Sequence, residues 1–364
     1  MEVGGIRRAI GLPRPTPPPA PGGPPPPHAP LPDDPESEPV TVSTTRPRST
    51  GMAAGALTLT LALTSCGADD PSDAADASTE TTTVETDYGP VEIPTDPQRI
   101  VALEFGNEIL VEAGIDPVGV IDPNPGLYTP EELEILQGAD VVQESSLEIN
   151  IEAVAAAEPD LIIGGVREVS HDDYEEHFEN LSRIAPTVLF DFDGAGPELR
   201  DMSLELAEVV GDAERAEAER ERYEERVTEL RDTYAEQLQD HTFAVVFGVD
   251  DQFAVVNTNA WGAYILDELG AETTSVIEEA GGDFATFQSY ENIDKLDDAD
   301  VVLYETDVSL EPDAFTADLL DQNLWASLPA AENDRVHPLR YSFSRTWGQA
   351  NDVLDQLEEV LQDL

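Results

Sequence analysis

The sequence has almost no lysine and very little positive charge of any kind. It holds 18 Lys and Arg against 77 Asp and Glu, and Lys295 is the only lysine. A chain with a formal net charge of −59 has no basic patch that could neutralise phosphates, which excludes DNA and RNA as partners. The first 65 residues hold five bases and five acids, so the whole excess of negative charge follows them. Such a surface favours a protein that stays soluble in a salty exterior.

Cysteine is equally scarce. Cys66 stands alone, which excludes an internal disulfide and a multi-cysteine metal site. The histidines do not predict a metal site either, because His171 and His177 are six positions apart on a predicted helix and do not share a face. The chain has no G-x-S-x-G, Walker or G-x-G-x-x-G motif. A bare-metal site and an enzyme therefore remain only as disfavoured alternatives.

The N-terminal region has the features of an export signal. Residues 13–32 are rich in proline and predict a disordered chain without a core. Arg46 and Arg48 then precede Met52–Leu63, an apolar run too short to span a bilayer but typical of a signal-peptide h-region. The run ends in Leu-Thr-Ser-Cys, which resembles the lipobox of bacterial lipoproteins. The resemblance implies cleavage before Cys66, a lipid on its thiol and anchorage to the outer face of the cytoplasmic membrane.

A long charged helix is the most prominent element that the rest of the sequence predicts. From Asp212 to Gln239 the apolar residues form one stripe at the α-helical period, and Glu and Arg alternate on the opposite face. On both sides of it, short buried strands alternate with helices, which is typical of parallel α/β layers. A short coiled coil is the alternative for this helix taken alone.

The two sides of the helix contain a similar element. Glu152 opens a short predicted helix that is followed by Asp160 and a buried strand, and Glu291 and Asp300 repeat that arrangement. A carboxylate in a first helical turn is favoured by the helix dipole alone, so each glutamate also has a purely local explanation.

From about residue 88 to 364 the chain resembles the bacterial solute-binding lipoproteins of iron–siderophore and cobalamin ABC importers. The resemblance rests on the order and spacing of Asp96–Leu103 (DPQRIVAL), Ala113–Val120 (AGIDPVGV), Glu158–Ile163 (EPDLII) and Ile184–Thr187 (IAPT), followed by the long helix. It implies two α/β lobes of the class III periplasmic-binding-protein type, joined by one long interlobe helix, with the ligand in the cleft between them. The expected domains are residues 1–51 (a disordered extension or mis-called start with the signal n-region), 52–65 (h-region and lipobox), 66–87 (acidic tether), 88–205 (N-terminal lobe), 206–240 (interlobe helix) and 241–364 (C-terminal lobe).

The same resemblance implies two sets of functional residues. Glu152 and Glu291, one in each lobe, match the surface glutamates that meet arginines of a dimeric ABC permease. The second set follows predicted strands or flanks the last helix, where arginines and aromatic rings suit a bulky chelate. It consists of Arg167, Trp261, Tyr341, Arg345 and Trp347, for which interior packing is the alternative.

An iron(III)–siderophore is the ligand that the resemblance implies, and no cofactor is expected. Cobalamin and haem are the alternatives within the same transporter group, with Tyr341 as the only residue that suggests a haem ligand. We expect a monomer that is anchored to the membrane by its lipid and delivers its ligand to the permease dimer. The scarcity of bases favours neutral or cationic hydroxamates over anionic catecholates.

Overall fold

The structure, a computed structural model, describes residues 80–364 except residues 147, 168–169, 193–196 and 281–283. The predicted Pro-rich extension, the h-region, Cys66 and most of the acidic tether lie outside the described residues. Within them, no helix is both long enough and apolar enough to cross a bilayer.

The described chain begins with a β-hairpin. β1 (Thr81–Thr86) pairs antiparallel with β2 (Gly89–Pro94). The expectation of an acidic tether without structure up to residue 87 is therefore wrong at its C-terminal end. Threonine and valine give the segment TTTVET a strong preference for the extended conformation. Val84 and Val91 also pack against the core of the N-terminal lobe, which fixes the hairpin.

The N-terminal lobe is a mostly parallel sheet covered by helices. Its strands are β3 (Ile100–Ala102), β4 (Gly119–Ile121), β5 (Asp140–Ser145), β6 (Glu148–Ile149), β7 (Leu161–Arg167) and β8 (Thr187–Phe192), in the order β6-β5-β4-β3-β7-β8. Only β6 runs antiparallel to its neighbour within this sheet. Its helices are α1 (Gly106–Ala113), α2 (Pro130–Leu136), α3 (Ile151–Ala156) and α4 (His171–Leu181). The α/β expectation is confirmed.

Three helices then carry the chain to the second sheet, namely α5 (Pro197–Val209), α6 (Ala213–Thr233) and α7 (Ala235–Asp240). The apolar stripe predicted for the long helix is buried, as shown by Ala216, Tyr223, Val227 and Leu230.

The long helix is shorter than the sequence suggests. Continuity to Gln239 is wrong, because Tyr234 leaves the helical conformation with φ −111° and ψ 26°. The Tyr234 hydroxyl, 3.4 Å from Oε1 of Glu358, ties this break to the C-terminal helix. The 21 residues of α6 make a strut of about 30 Å.

The C-terminal lobe has a second sheet of six strands. They are β9 (Thr242–Val249), β10 (Gln252–Val256), β11 (Glu272–Thr273), β12 (Ala285–Ser289), β13 (Val301–Thr306) and β14 (Val336–Arg340), with main order β12-β10-β9-β13-β14 and β11 beside β9. Its helices are α8 (Trp261–Leu269), α9 (Ala314–Leu320), α10 (Pro329–Glu332) and α11 (Trp347–Asp363). Short 3-10 helices cover Ser275–Ala280, Tyr290–Asp298 and Trp325–Ser327.

This second sheet repeats the first only in part. β13 runs parallel to β9, as expected for a parallel layer, and to β14, which is not among the predicted strands, but β10 runs antiparallel to β9 and to β12. β10 is antiparallel to β9 because the two strands are joined by the two-residue turn Asp250-Asp251, whose φ angles of 31° and 67° are both positive. Turns of this kind fold two strands into a tight hairpin and leave no room for a crossover helix.

Asp160 and Asp300, the aspartates of the repeated element, make the same kind of hydrogen bond in the two lobes. Asp160, just before β7, accepts backbone N–H groups of Gln98 at 2.8 Å and Arg99 at 2.9 Å, at the start of β3. Asp300, just before β13, accepts the N–H of Thr242 at 3.0 Å, at the start of β9. Each carboxylate thus sets the register at which two neighbouring parallel strands begin.

Candidate functional site

Two side chains of opposite charge lie where neighbouring parallel strands of the N-terminal lobe end. Arg167 is the last residue of β7, and Glu104 follows β3, the strand beside it. Nε of Arg167 is 4.0 Å from Oε1 of Glu104. The carboxyl ends of parallel strands are where α/β sheets usually bind ligands, so this edge is the first place to look for a site.

Aromatic rings from both lobes surround the Arg167 guanidinium. Its carbon lies 5.6 Å from the ring centre of Phe105, 5.5 Å from that of Phe192 and 5.8 Å from that of Phe343. Phe105 and Phe192 belong to the N-terminal lobe and meet edge to face, with centroids 4.8 Å apart. Because Phe343 comes from the C-terminal lobe, this cluster lies at the junction of the two lobes.

A second arginine joins the cluster from the C-terminal lobe. Arg345 lies 4.9 Å from the Phe105 ring and 5.4 Å from the Phe343 ring, and its Nη1 is 2.6 Å from Oε1 of Glu108. The Tyr128 hydroxyl donates to the same carboxylate oxygen at 2.8 Å. Burial acts to lower the pKa of Arg345, but Glu108, Tyr128 and Glu104 together outweigh it and the pKa rises above its ordinary value.

The pKa values of the two arginines shift in opposite directions, although burial acts to lower both. For Arg167, burial is the main cause of a lowered pKa, Glu104 opposes it only in part, and the positive charge of Arg345 lowers it further. A guanidinium that is poorly compensated and lies among aromatic rings favours an oxygen-rich planar group beside it. Arg167 and Arg345, both predicted from the sequence, are therefore brought together.

Tyr341 takes a different position. It lies in the left-handed region with φ 54° and lines a small cavity between the lobes, of about 80 Å³. Burial raises its pKa to about 12, with further contributions from Glu132 and Asp352. Tyr341 is thus next to acidic groups rather than among the phenylalanines.

Trp347, one of the two predicted tryptophans, lies outside this cluster. Trp347 is only 8% exposed and belongs to the core of the C-terminal lobe. Its ring is edge-on to Tyr223 of α6 with centroids 5.2 Å apart, and the Arg200 guanidinium lies 4.7 Å from its centre. Interior packing therefore explains Trp347. Trp261 is the first residue of α8, and only its backbone is described.

The predicted docking glutamates occupy equivalent, exposed positions. Glu152 lies in the first turn of α3, where the Asn150 side chain accepts the N–H of Ala153 at 3.0 Å. Glu291 lies in the first turn of the predicted helix, which is a 3-10 helix, and its N–H donates to Ser289 Oγ at 3.2 Å. Each is held at a capped helix start with its carboxylate free to face solvent.

Glu104, Phe105, Glu108 and Phe343 are not among the residues predicted from the sequence. A signal for three of them was present, because Glu104–Glu108 directly follows the predicted strand Arg99–Leu103. Phe343 lies between Tyr341 and Arg345 and could have been included with them. In the described ranges, no group of three or more His, Cys, Asp or Glu is arranged to hold a metal ion.

Comparison with known proteins agrees with this architecture. A family model described as periplasmic binding protein matches residues 107–340. The siderophore periplasmic binding protein from the fuscachelin gene cluster of Thermobifida fusca is 64% identical, with a TM-score of 0.72, over 74% of this chain and 98% of that chain. Staphylococcus aureus SirA, complexed with staphyloferrin B, shares the fold at 20% identity and a TM-score of 0.59, over 78% of this chain and 99% of that chain.

Curated relatives lead to the same group. The probable siderophore-binding lipoprotein YfiY of Bacillus subtilis is 29% identical over 317 residues, covering 82% of this chain and 93% of that protein. These relatives are substrate-binding proteins and not enzymes. The chain belongs to the periplasmic binding protein family.

Proposed function

We propose that this protein captures an iron(III)–siderophore in the cleft between its lobes and delivers it to the permease of an ABC importer. The observation that carries the proposal is the cluster of Arg167, Arg345 and the three phenylalanines, which both lobes contribute. The 64% identity to the siderophore-binding protein of Thermobifida fusca supports the same class of ligand.

The cluster suits a ferric chelate for physical reasons. The outside of such a complex combines apolar or aromatic surface with the oxygens that hold the iron. Guanidinium groups donate hydrogen bonds to those oxygens, while the rings of Phe105, Phe192 and Phe343 cover the apolar part. Arg167 is the residue we assign to direct contact, because its charge is less compensated than that of Arg345.

Contacts across the cleft indicate that the site is largely formed before the ligand arrives. The N–H of Val308 donates to the carbonyl oxygen of Gly126 at 3.0 Å, and Arg345 pairs with Glu108. With α6 as a rigid strut, these contacts favour small rocking of the lobes over wide closure.

The anchor and the docking residues complete the proposal. Cys66 carries the lipid that holds the protein on the outer face of the cytoplasmic membrane, in agreement with the name lipoprotein given to YfiY. Glu152 and Glu291 present one carboxylate per lobe to arginines of a dimeric permease, which sets orientation more than affinity.

Titration of the purified full chain tests the ligand class. Ferric hydroxamates, ferric catecholates, haem and cobalamin are added separately while tryptophan fluorescence is recorded. We expect saturable quenching by ferric siderophores at micromolar concentration or below, and Arg167→Ala to weaken it by about tenfold or more. Arg183→Ala, which removes a side chain that is 66% exposed at the end of α4, is the matched control. A response to haem or cobalamin alone would overturn the proposal.

A further inference from the structure

The cavity beside Tyr341 has a chemical character opposite to that of the arginine–phenylalanine cluster. It has a volume of about 80 Å³ and lies between α1 and α2 of one lobe and α11 of the other. Its polar lining includes four carboxylates and two phenol hydroxyls, from Glu108, Glu112, Glu132, Asp352, Tyr128 and Tyr341. Residues of both lobes are needed to form it.

The arginines around this cavity do not compensate all of its negative charge. Glu108 is paired with Arg345, and Glu112 Oε2 is 3.1 Å from Nη1 of Arg215. Asp352 pairs with Arg340, whose Nη2 lies at the long distance of 3.9 Å from its Oδ2.

The negative charge of Glu132 is compensated even less than that of Asp352. Its Oε2 accepts the backbone N–H of Thr129 at 2.7 Å, and within the described chain no lysine or arginine lies at ion-pair distance from it. The raised pKa of Tyr341, to which Glu132 and Asp352 contribute after burial, reports the same negative field.

A buried acceptor atom next to the cavity also lacks a partner. The Glu108 side chain is 2% exposed and its Oε1 accepts from Tyr128 and Arg345. Its other oxygen, Oε2, has no hydrogen-bond partner among the described residues. A buried carboxylate oxygen left without a donor is costly, so a donor supplied by a ligand would be stabilising at this place.

The carboxylates are spread around the cavity and do not converge on one point. No group of three or more of them in the described ranges meets the geometry of a metal site. Separated acceptors instead match a group whose N–H bonds diverge, such as a guanidinium or an ammonium. The space exceeds that of a single water molecule and is sufficient for the head of such a group.

We propose that this cavity receives a guanidinium or ammonium group carried by the siderophore, while the iron-chelating part lies against Arg167 and the phenylalanines. The inference rests on the proposed function and narrows its ligand to siderophores with a cationic arm. The net charge of −59 favours the approach of such a ligand over that of a strongly anionic chelate.

Two matched pairs of ligands test the inference on the full chain. The first is ferrioxamine B, which carries a free ammonium, against its N-acetyl derivative. The second is the ferric complex of a catecholate peptide that contains arginine, against the same peptide with citrulline. For each pair that binds, we expect the cationic member to bind about tenfold or more tightly than its neutral counterpart.

Variants that remove negative charge from the cavity then show whether the cavity causes the preference for the cationic member of a pair. Glu132→Gln combined with Asp352→Asn is expected to reduce the ratio within a pair to less than about threefold, with little change for the neutral member. Glu131→Gln removes an exposed carboxylate from the same turn of α2 and does not line the cavity, so it should keep the full ratio.

The failures of the two proposals are distinguishable. Equal affinity for the two members of each pair that binds overturns the proposal of a cationic arm and leaves the proposed function standing. Binding of neutral siderophores without a response to either cationic member has the same meaning. A preference that survives the double variant places the cationic group elsewhere and also overturns the inference. No response to any ferric siderophore overturns both.

Discussion

Nη1 of Arg345 lies 2.6 Å from Oε1 of Glu108, so a guanidinium of the C-terminal lobe is neutralised by a carboxylate of the N-terminal lobe. Both side chains are largely buried, at 20% and 2% exposure. An ion pair shielded from water in this way contributes little net stability compared with apolar residues, but loss of one partner leaves an uncompensated charge inside the protein. We therefore expect the pair to contribute to the specificity of the contact between the lobes more than to net stability.

A double-mutant cycle on this pair measures the coupling between the lobes. We expect Glu108→Leu to lower the free energy of unfolding by about 3 kcal/mol, because Arg345 is left buried without its partner. Combination with Arg345→Met should restore much of the loss. Urea unfolding of the four proteins provides the values. Additive effects of the two substitutions would show that the ion pair does not couple the lobes.

Replacement of the single cysteine tests the anchor. Cys66→Ser is expected to move the protein from the membrane fraction to the soluble fraction, because the residue proposed to carry the lipid is lost. Affinity for the ferric siderophore should not change, since the cleft is built from residues beyond position 100. Ser72→Ala, in the predicted tether, is the control. A Cys66→Ser protein that stays with the membrane would contradict the lipobox prediction.

Removal of the two exposed glutamates tests permease docking. Glu152→Ala combined with Glu291→Ala is expected to abolish siderophore uptake by cells and to leave the dissociation constant unchanged, since neither residue is in the cleft. The control is Glu175→Ala with Glu176→Ala, which removes the same charge from exposed positions of α4. If binding is lost together with uptake, the glutamates serve folding or the cleft and not the permease.

The pH dependence of stability has a specific expected source in Glu112. Burial raises the pKa of this carboxyl above its ordinary value of 4.5, although Thr346 and Arg215 act to lower it. The folded protein therefore retains this proton to higher pH than the unfolded chain, and the contribution of Glu112 to stability falls as pH rises above about 4.5.

Glutamine resembles the protonated form of Glu112 and removes this dependence. We expect Glu112→Gln to gain stability relative to the parent as the pH is raised from 4.5 to 7.5, measured by urea unfolding at each pH. Glu225→Gln, at an exposed position of α6, should follow the parent. A loss of stability for Glu112→Gln that grows with pH would show that the ion pair with Arg215 dominates.

The elements that the sequence identifies best are those with a local signal. Leu161–Ile163 is apolar, begins after an aspartate and forms the start of β7 as expected. The buried stripe of α6 also follows directly from the spacing of its apolar residues. The break at Tyr234 is different, because the Tyr234 hydroxyl contacts Glu358, more than a hundred positions away, and the sequence around Tyr234 does not reveal that contact.

For the site, too, residues are predictable where the sequence nearby determines their position, and they are not where contacts with distant residues determine it. Arg167 is predicted because it follows the apolar run Leu161–Ile163, and the structure places it at the carboxyl end of β7. Trp347 looked equally suitable from its position before α11, yet its ring packs on Tyr223 and Arg200. Whether an aromatic residue faces a cleft or a core depends on its contacts with other helices and strands. Those contacts cannot be predicted from a single sequence.

The connection between the lobes has a consequence for the order of assembly. The chain passes from the first lobe to the second only once, through α5, α6 and α7. In the described part, every strand that precedes these helices pairs only with others that precede them, and every strand that follows them pairs only with others that follow them. The first sheet is therefore complete in sequence at Phe192, where β8 ends, and none of its strands waits for a segment made later. This separation allows the first lobe to form while the second is still being synthesised.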